Sequence, residues 1–260
     1  MPNVNCLPNP WGAETILLES VDSTNNYAKD LARRGAPHGT AVLSDCQTGG
    51  KGRRGRSFSS PPGVGIYCSV VLRFDAAPEQ LLHLTPMVAE AVRRAVAAST
   101  GLEPEIKWIN DLLLNGRKLC GILTELGMTG DRLDFLVVGI GINCNHRTED
   151  FPPELRKTAV SLAQALGRPV DRMDLAAQLL TQLHAMSQAV LPAHGPWLDS
   201  YRAHCITLGQ DVQLICGDRH RAAHVDGMDD RGALLVTLPD GSKETVFSGE
   251  VSVRGLAGYV

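Results

Sequence analysis

Between Gln47 and Arg56 the chain reads Gln-Thr-Gly-Gly-Lys-Gly-Arg-Arg-Gly-Arg, four cations interleaved with four glycines. Glycine lets the backbone approach a ligand closely and turn N–H groups toward it, and Lys and Arg neutralise phosphate or carboxylate. The segment suits an anion cradle. A solvated basic loop touching RNA has the same composition, and on these residues alone both readings stand. Gly50-x-Gly52-x-x-Gly55 fits the dinucleotide fingerprint numerically, but Lys and Arg fill its intervening positions and the Ser57 to Pro62 stretch cannot open the required helix. A Walker loop is excluded because Gly50-Lys51 is followed by Gly52 rather than Ser or Thr.

Two further segments carry polar groups where burial is costly. Lys107-Trp-Ile-Asn110-Asp111 sits among strand-forming residues and is followed by Arg117-Lys118-Leu-Cys-Gly121-Ile-Leu. A Lys and an Asn-Asp pair there need a polar cavity, a ligand or the wet face of a hairpin. Gly139-Ile-Gly141-Ile-Asn143 puts two glycines into an apolar strand, which marks close approach of a ligand, another backbone or tight packing. Cys216, His220 and His224 have a metal-like spacing, but residues four apart on a strand stand about 13 Å from one another, so they do not converge on one ion. Trp11, Trp197 and Phe247 read as packing residues, Arg93-Arg94 as the outer face of a helix, and His184 as a partly buried histidine.

The elements that must position these groups alternate between strand and helix. Residues 15–21 read as a strand, and Asp22-Ser23-Thr24 begins a helix that the Gly35-Ala36-Pro37 break ends. A strand at 40–46 runs into a polar loop at 47–63, then a strand at 65–74 and a helix from Pro78 to Ser99. Residues 105–126 form a hairpin around Asn115-Gly116, a type I′ pair, and 134–145 form a buried strand with a continuous apolar run. Helical periodicity at 160–166, 175–191 and 196–204 supplies helices to cover one face of the sheet. After Thr207, short alternating strands with turns at 217–218, 229–232 and 239–241 predict a small β-barrel of about fifty residues. The expected class is α+β: a mixed β-sheet domain covered by helices at 1–205 and a small barrel at 206–260.

Composition narrows the function. With 260 residues, 43% of them hydrophobic and 20% charged, the chain can bury a substantial core. A net charge of −3 means that any anion site arises from local clustering. Seven scattered cysteines, an odd number without C-x-x-C, fit reduced thiols in a cytoplasmic protein. The first residues lack a leader, and no stretch reaches about 18 consecutive apolar residues, so neither export nor a membrane partner is expected.

Taken in order, the segments resemble the bacterial biotin–protein ligase family. The residues that carry the likeness are Asp22-Ser23-Thr24-Asn25, the loop from Gln47 to Arg56, Lys107-Trp-x-Asn110-Asp111, Arg117-Lys118-Leu-x-Gly121-Ile-Leu and Gly139-x-Gly141-Ile-Asn143. It is strongest over residues 15–145, and Gly249-Glu-Val-Ser-Val-Arg254 looks like that family's C-terminal segment. The resemblance implies a catalytic fold of the class II synthetase kind with an SH3-like C-terminal barrel. The implied reaction joins biotin to ATP as biotinyl-5′-AMP, then transfers biotin to a lysine of a biotin carboxyl carrier protein, the acetyl-CoA carboxylase subunit, or a similar domain. ATP and biotin enter as substrates and Mg²⁺ accompanies the ATP, with ligands left unassigned.

By position in the family motifs, Lys118 and Arg53 are the expected catalytic residues. Biotin falls to Ser23, Thr24, Asn25, Gln47, Lys51, Gly52, Arg53 and Lys118, and ATP to Gly50, Arg54, Arg56, Lys107, Asn110, Asp111 and Asn143. Two positions depart from the pattern: Lys51 stands where Arg is usual, which keeps charge without two-pronged geometry, and Ile109 where Pro is usual. Regulatory members carry a winged helix-turn-helix ahead of the catalytic region, so DNA binding is not expected here. The oligomeric state stays open, a homodimer included. A lipoate–protein ligase shares the implied fold and adenylate chemistry. An RNA-binding module would need more interleaved aromatics than Phe58 and Tyr67 supply.

Overall fold

In a computed structural model, residues 7–191, 195–247 and 252–255 are described. Cys6 and Gly249 to Val251 of the closing motif lie outside them. The elements in chain order are β1 (Thr15–Val21), α1 (Thr24–Arg33), β2 (Ala41–Gln47), β3 (Gly65–Leu72), α2 (Leu84–Thr100), β4 (Glu105–Lys107), β5 (Asp111–Leu114), β6 (Arg117–Thr129), β7 (Arg132–Asn143), α3 (Leu162–Leu166), α4 (Arg172–Ser187), α5 (Gly195–His204), β8 (Asp211–Cys216), β9 (Arg219–Met228), β10 (Leu234–Thr237), β11 (Lys243–Val246) and β12 (Ser252–Gly255).

The first seven strands form one mixed sheet in the order β1-β2-β3-β7-β6-β5-β4. Only β1 and β2 pair in parallel, as they must when α1 is the crossover between them; every other neighbour is antiparallel. Both faces are covered, which explains the unbroken apolar run of β7. Phe135 and Val137 pack under α1 with Ala28, Ala32, Val42 and Val71. Leu136, Val138, Ile140 and Ile142 belong to the larger core with α2 and α4. Gly139 and Gly141 continue the α1 face past the helix's N-terminus. There β7 adds no side chains to the face, and a hollow opens.

Several expected bounds shift for local reasons. The long helix from Pro78 divides into a 3-10 turn at Pro78–Leu81 and α2, which ends at left-handed Gly101. Asp171 caps α4 by accepting from the Met173 and Asp174 amides, so that helix begins earlier than its apolar spacing suggests. Arg93 corrects the expectation of an outward arginine pair. It is 7% exposed and pairs with fully buried Glu90 and with Glu103, while Arg94 bonds Glu90 and lies 4.1 Å over Trp197. Burial alone would raise Glu90, but bonds from Arg93, Ser200 and Arg94 hold it below the usual range.

After α5 the chain crosses the edge of the large sheet, where Ile206 N–H donates to the Ile106 carbonyl. The remaining strands form a five-stranded antiparallel sheet, β11-β10-β9-β8-β12, consistent with an SH3-like unit. The cysteines among the described residues are free, and no described helix is long and apolar enough to cross a membrane.

Candidate active site

Strand register assembles the site. In antiparallel pairs, facing residues share a side of the sheet, so Lys107, Asp111, Gly121, Gly141 and Tyr67 form one row across five strands. The next row holds Leu123, Gly139 and Ser69, and the one after it Glu125, Val137 and Val71. Glycines in the first two rows make the floor, and the start of α1 forms one wall. A Cβ at Gly139 would stand 2.0 Å from Asn25 Oδ1, and one at Gly141 2.5 Å from the Phe58 ring. Both contacts exist only because those positions lack side chains.

The α1 wall is held by a buried polar network. Thr24 donates from its amide (2.9 Å) and hydroxyl (3.0 Å) to Gln47 Oε1, whose amide nitrogen donates to Ser60 Oγ. The fully buried Ser69 hydroxyl lies 2.8 Å from Thr24 Oγ1 and 2.6 Å from Asn25 Oδ1. Asn25 Nδ2 donates to Glu125 Oε2 at 2.8 Å, and Lys29 pairs with the other Glu125 oxygen at 2.7 Å. Burial alone would raise the Glu125 carboxyl, but these two donors hold it below its ordinary value. Ser69, Glu125 and Phe58 are site groups that the motifs did not announce; a serine and a glutamate inside apolar strands were the available clues.

Gln47 to Phe58 is not featureless. Phe58 N–H donates to the Gly50 carbonyl, Gly52 N–H to the Arg56 carbonyl, and Lys51 bridges Ser57, so the segment folds back as a small hairpin. Its tip is a single 3-10 turn at Arg53–Gly55 with Arg54 in the left-handed region at φ 56. No helix follows, as the dinucleotide fingerprint would require. Arg53 reaches back over the sheet and donates to Asn110 Oδ1 at 2.8 Å. Burial pulls its guanidinium down from the ordinary value, and Asp111 opposes that shift. Lys51 donates to Asn26 Oδ1, and Lys118 Nζ pairs with Asp111 Oδ1 at 2.8 Å.

One cavity therefore gathers Ser23, Thr24, Asn25, Gln47, Lys51, Gly52, Arg53, Asn110 and Lys118 from three distant parts of the chain. Gly50, Arg54, Arg56, Lys107, Asp111 and Asn143 do not line it. Gly50 is buried inside the hairpin against its returning strand, where a Cβ would meet the Phe58 carbonyl at 2.4 Å. Asn143 differs most from expectation. Its Nδ2 donates to the Lys118 and Val160 carbonyls, so it fixes the strand that bears Lys118 rather than facing the cavity. About 50 Å³ of open space remains, because the Phe58 ring lies across Gly121 and Gly141.

A pocket with three cations, a buried amide and hydroxyl wall and a glycine floor can hold a polar ring at one end and an acyl phosphate at the other. Among the described residues no cluster of three or more His, Cys, Asp or Glu is grouped to hold a metal. His224 pairs with Asp211 and His220 faces Gln213, each on the outer sheet surface.

Two family profiles match the chain: the biotin/lipoate A/B protein ligase family over residues 17–143 and the biotin protein ligase C-terminal domain over 207–254. The bifunctional ligase/repressor BirA of Bacillus spizizenii is 34% identical over 244 residues, covering 93% of this chain and 74% of that one. The biotin–[acetyl-CoA-carboxylase] ligase of Paracoccus denitrificans is 32% identical, covering 92% and 100%. The biotin protein ligase from Aquifex aeolicus, solved with biotin and ATP, superposes with a TM-score of 0.79 at 29% identity, covering 93% and 99%.

Proposed function

Because the chain belongs to the biotin/lipoate A/B protein ligase family, we propose a residue-level account of how it joins biotin to a carrier protein. It is an ATP-dependent biotin–protein ligase. Its acceptor is a lysine on a biotin-accepting carboxylase subunit, a reading supported by relatives named as ligases of biotin to acetyl-CoA carboxylase. Lipoate is disfavoured as the acid, since the matched C-terminal domain and the relatives are those of biotin ligases.

In the first half-reaction a biotin carboxylate oxygen bonds to the α-phosphorus of ATP and pyrophosphate leaves. In the second the acceptor amine bonds to the acyl carbon, AMP leaves with the C–O electron pair, and the amine loses a proton to solvent. Neither step needs an enzyme nucleophile. The protein must align two anions that repel each other and set positive charge where negative charge gathers. Lys118 and Arg53 take that role, with Lys51 beside them. Ser23, Thr24 and Asn25 meet the ureido group at the start of α1, whose positive end favours a carbonyl oxygen. Gln47 orients Thr24, and Gly52 lets the hairpin close onto the acyl phosphate. Lys107, Asn110 and Asp111 take the nucleotide side, with Gly50, Arg54 and Arg56 shaping the hairpin that covers it. Asn143 anchors the Lys118 strand.

Mg²⁺ would accompany ATP through its phosphates and water, since it sheds water reluctantly. The catalytic unit is assigned to 1–205 and the barrel to 206–260. The observation that carries the reading is the convergence of Lys118 and the Gly-Arg hairpin on one cavity. Biotin-dependent exchange of labelled pyrophosphate into ATP tests it. Exchange with biotin and none with lipoate is expected, and the reverse would overturn it.

A further inference from the structure

The turn between β4 and β5 is held at one end by the C-terminal sheet and at the other presents an amide to Arg53. Trp108 is 6% exposed, and its indole N–H donates to the Gly232 carbonyl at 2.9 Å. Gly232 closes the Asp229–Gly232 turn between β9 and β10. That turn is internally braced: the Asp229 carboxylate accepts from the Arg231 and Ala233 amides, and Gly232 N–H donates to the Asp229 carbonyl. It is also clamped from outside, because Arg202 on α5 donates to the Met228 carbonyl and pairs with Asp230 at 2.6 Å. Gly232 has φ 82, and a Cβ there would stand 2.8 Å from Pro86 Cγ. The turn is thus seated against α2 with no room for a side chain.

Trp108 backbone N–H donates to Thr207 Oγ1, on the connection into the C-terminal sheet, so both N–H donors of this residue answer to that part of the chain. Two residues on, Asn110 is fixed on three sides. Its carbonyl accepts from the Ile122 amide, its Nδ2 donates to the Ile122 carbonyl, and its Oδ1 accepts from Arg53. Ile109 between them is buried, leaving no slack.

We propose that Trp108 is a positioning residue through which the C-terminal sheet sets Asn110 and, through Asn110, the guanidinium of Arg53. The inference rests on the proposed role of Arg53 as a cation at the acyl phosphate, which also makes it the group that holds the acyl adenylate until the acceptor amine arrives. A purely packing role for Trp108 would lower stability and slow both half-reactions together. A positioning role would let adenylate escape while it is still being made.

The test uses the full chain with biotin, ATP and serum albumin as bystander, and reads biotinyl-lysine on albumin by mass spectrometry beside pyrophosphate exchange. Arg53→Gly is expected to raise bystander labelling. Trp108→Phe, and replacement of Trp108 by 3-benzothienylalanine, which keeps the indole shape without its N–H, are expected to raise it about three- to tenfold, the range of one lost hydrogen bond. The increases of Trp108→Phe and Arg53→Gly should not multiply in the double variant. If Arg53→Gly leaves labelling unchanged, the reading of Arg53 fails and the inference with it. If Arg53→Gly raises labelling but the folded benzothienyl variant does not, or if the double variant is multiplicative, the coupling through Trp108 is overturned and the reading of Arg53 survives. Should Trp108→Phe not fold, the benzothienyl variant decides alone, its stability checked by thermal unfolding.

Discussion

Lys118 Nζ stands 2.8 Å from Asp111 Oδ1 on the neighbouring strand; both side chains are partly exposed, and of the two only Lys118 lines the cavity. The pair holds the ammonium at the rim of the hollow above Gly121, where a Cβ would lie 3.3 Å from that nitrogen. A carboxylate entering the cavity thus meets a cation already oriented.

Lys118→Ala is expected to depress biotin-dependent pyrophosphate exchange by about 10²- to 10³-fold, the usual consequence of removing one transition-state charge contact. Asp111→Asn keeps the cation but loosens it, so a smaller loss, about tenfold, is expected in the same assay. Undiminished exchange in Lys118→Ala would remove that residue from the chemistry.

Gly139→Ala tests the α1 wall. The added methyl would begin 2.0 Å from Asn25 Oδ1, so Asn25 must move and lose its contacts with Ser69 and Glu125. Titration calorimetry should show biotin binding weakened by about tenfold or more, since at least one buried hydrogen bond is lost. Wild-type affinity would mean that Asn25 has no part in the biotin end of the cavity.

Phe58 closes the hollow in this conformation, leaving about 50 Å³ where ligand pockets run to about 300 Å³ or more. The ring must leave before biotin enters, and a binding-competent state that is only partly populated slows association in proportion. Phe58→Ala is therefore expected to speed biotin association in stopped-flow fluorescence. An unchanged or slower association rate would show that the ring is no barrier.

Much of this was legible in the residues. The continuous apolar run of β7 predicted a strand buried on both faces, Asn115-Gly116 takes up the hairpin turn with both φ values positive, and Gly217-Asp218 joins β8 to β9. Lys118 and the cationic hairpin, some sixty positions apart in the chain, were linked by resemblance rather than by physics. What stayed hidden depends on register. Nothing local says that Ser69, Gly139 and Leu123 face one another, because cross-strand rows follow from which strands pair. The same holds for Trp108 and Gly232, whose contact exists only once the C-terminal sheet docks. The Arg93 environment is hidden for a related reason: spacing on α2 marks a helix face, but it does not show that α5 docks there, with Ser200 donating to Glu90 and Trp197 lying under Arg94.

His146 gives the fold a specific acid sensitivity. It is 1% exposed, its ring is stacked on Phe151 at 4.9 Å, and among the described residues its Nδ1 has no hydrogen-bond partner. Burial opposes the charged ring and brings its pKa to about 4 from an ordinary 6.5, against a smaller upward pull from Asp150. Between those values the unfolded chain binds a proton that the folded chain refuses, so stability rises with pH and is lost on acidification. The contribution is complete above the unfolded value and declines as pH falls from 6.5 toward about 4. Between pH 7 and pH 5 this one group should cost about 2 kcal/mol of unfolding free energy. Urea unfolding of the wild type and His146→Gln at both pH values isolates it from the other histidines. The variant should start less stable at pH 7, having lost the stacked ring, and its loss between the two pH values should be smaller by about that amount. Equal pH dependence in the two proteins would mean that His146 is protonated in the folded state as readily as in water.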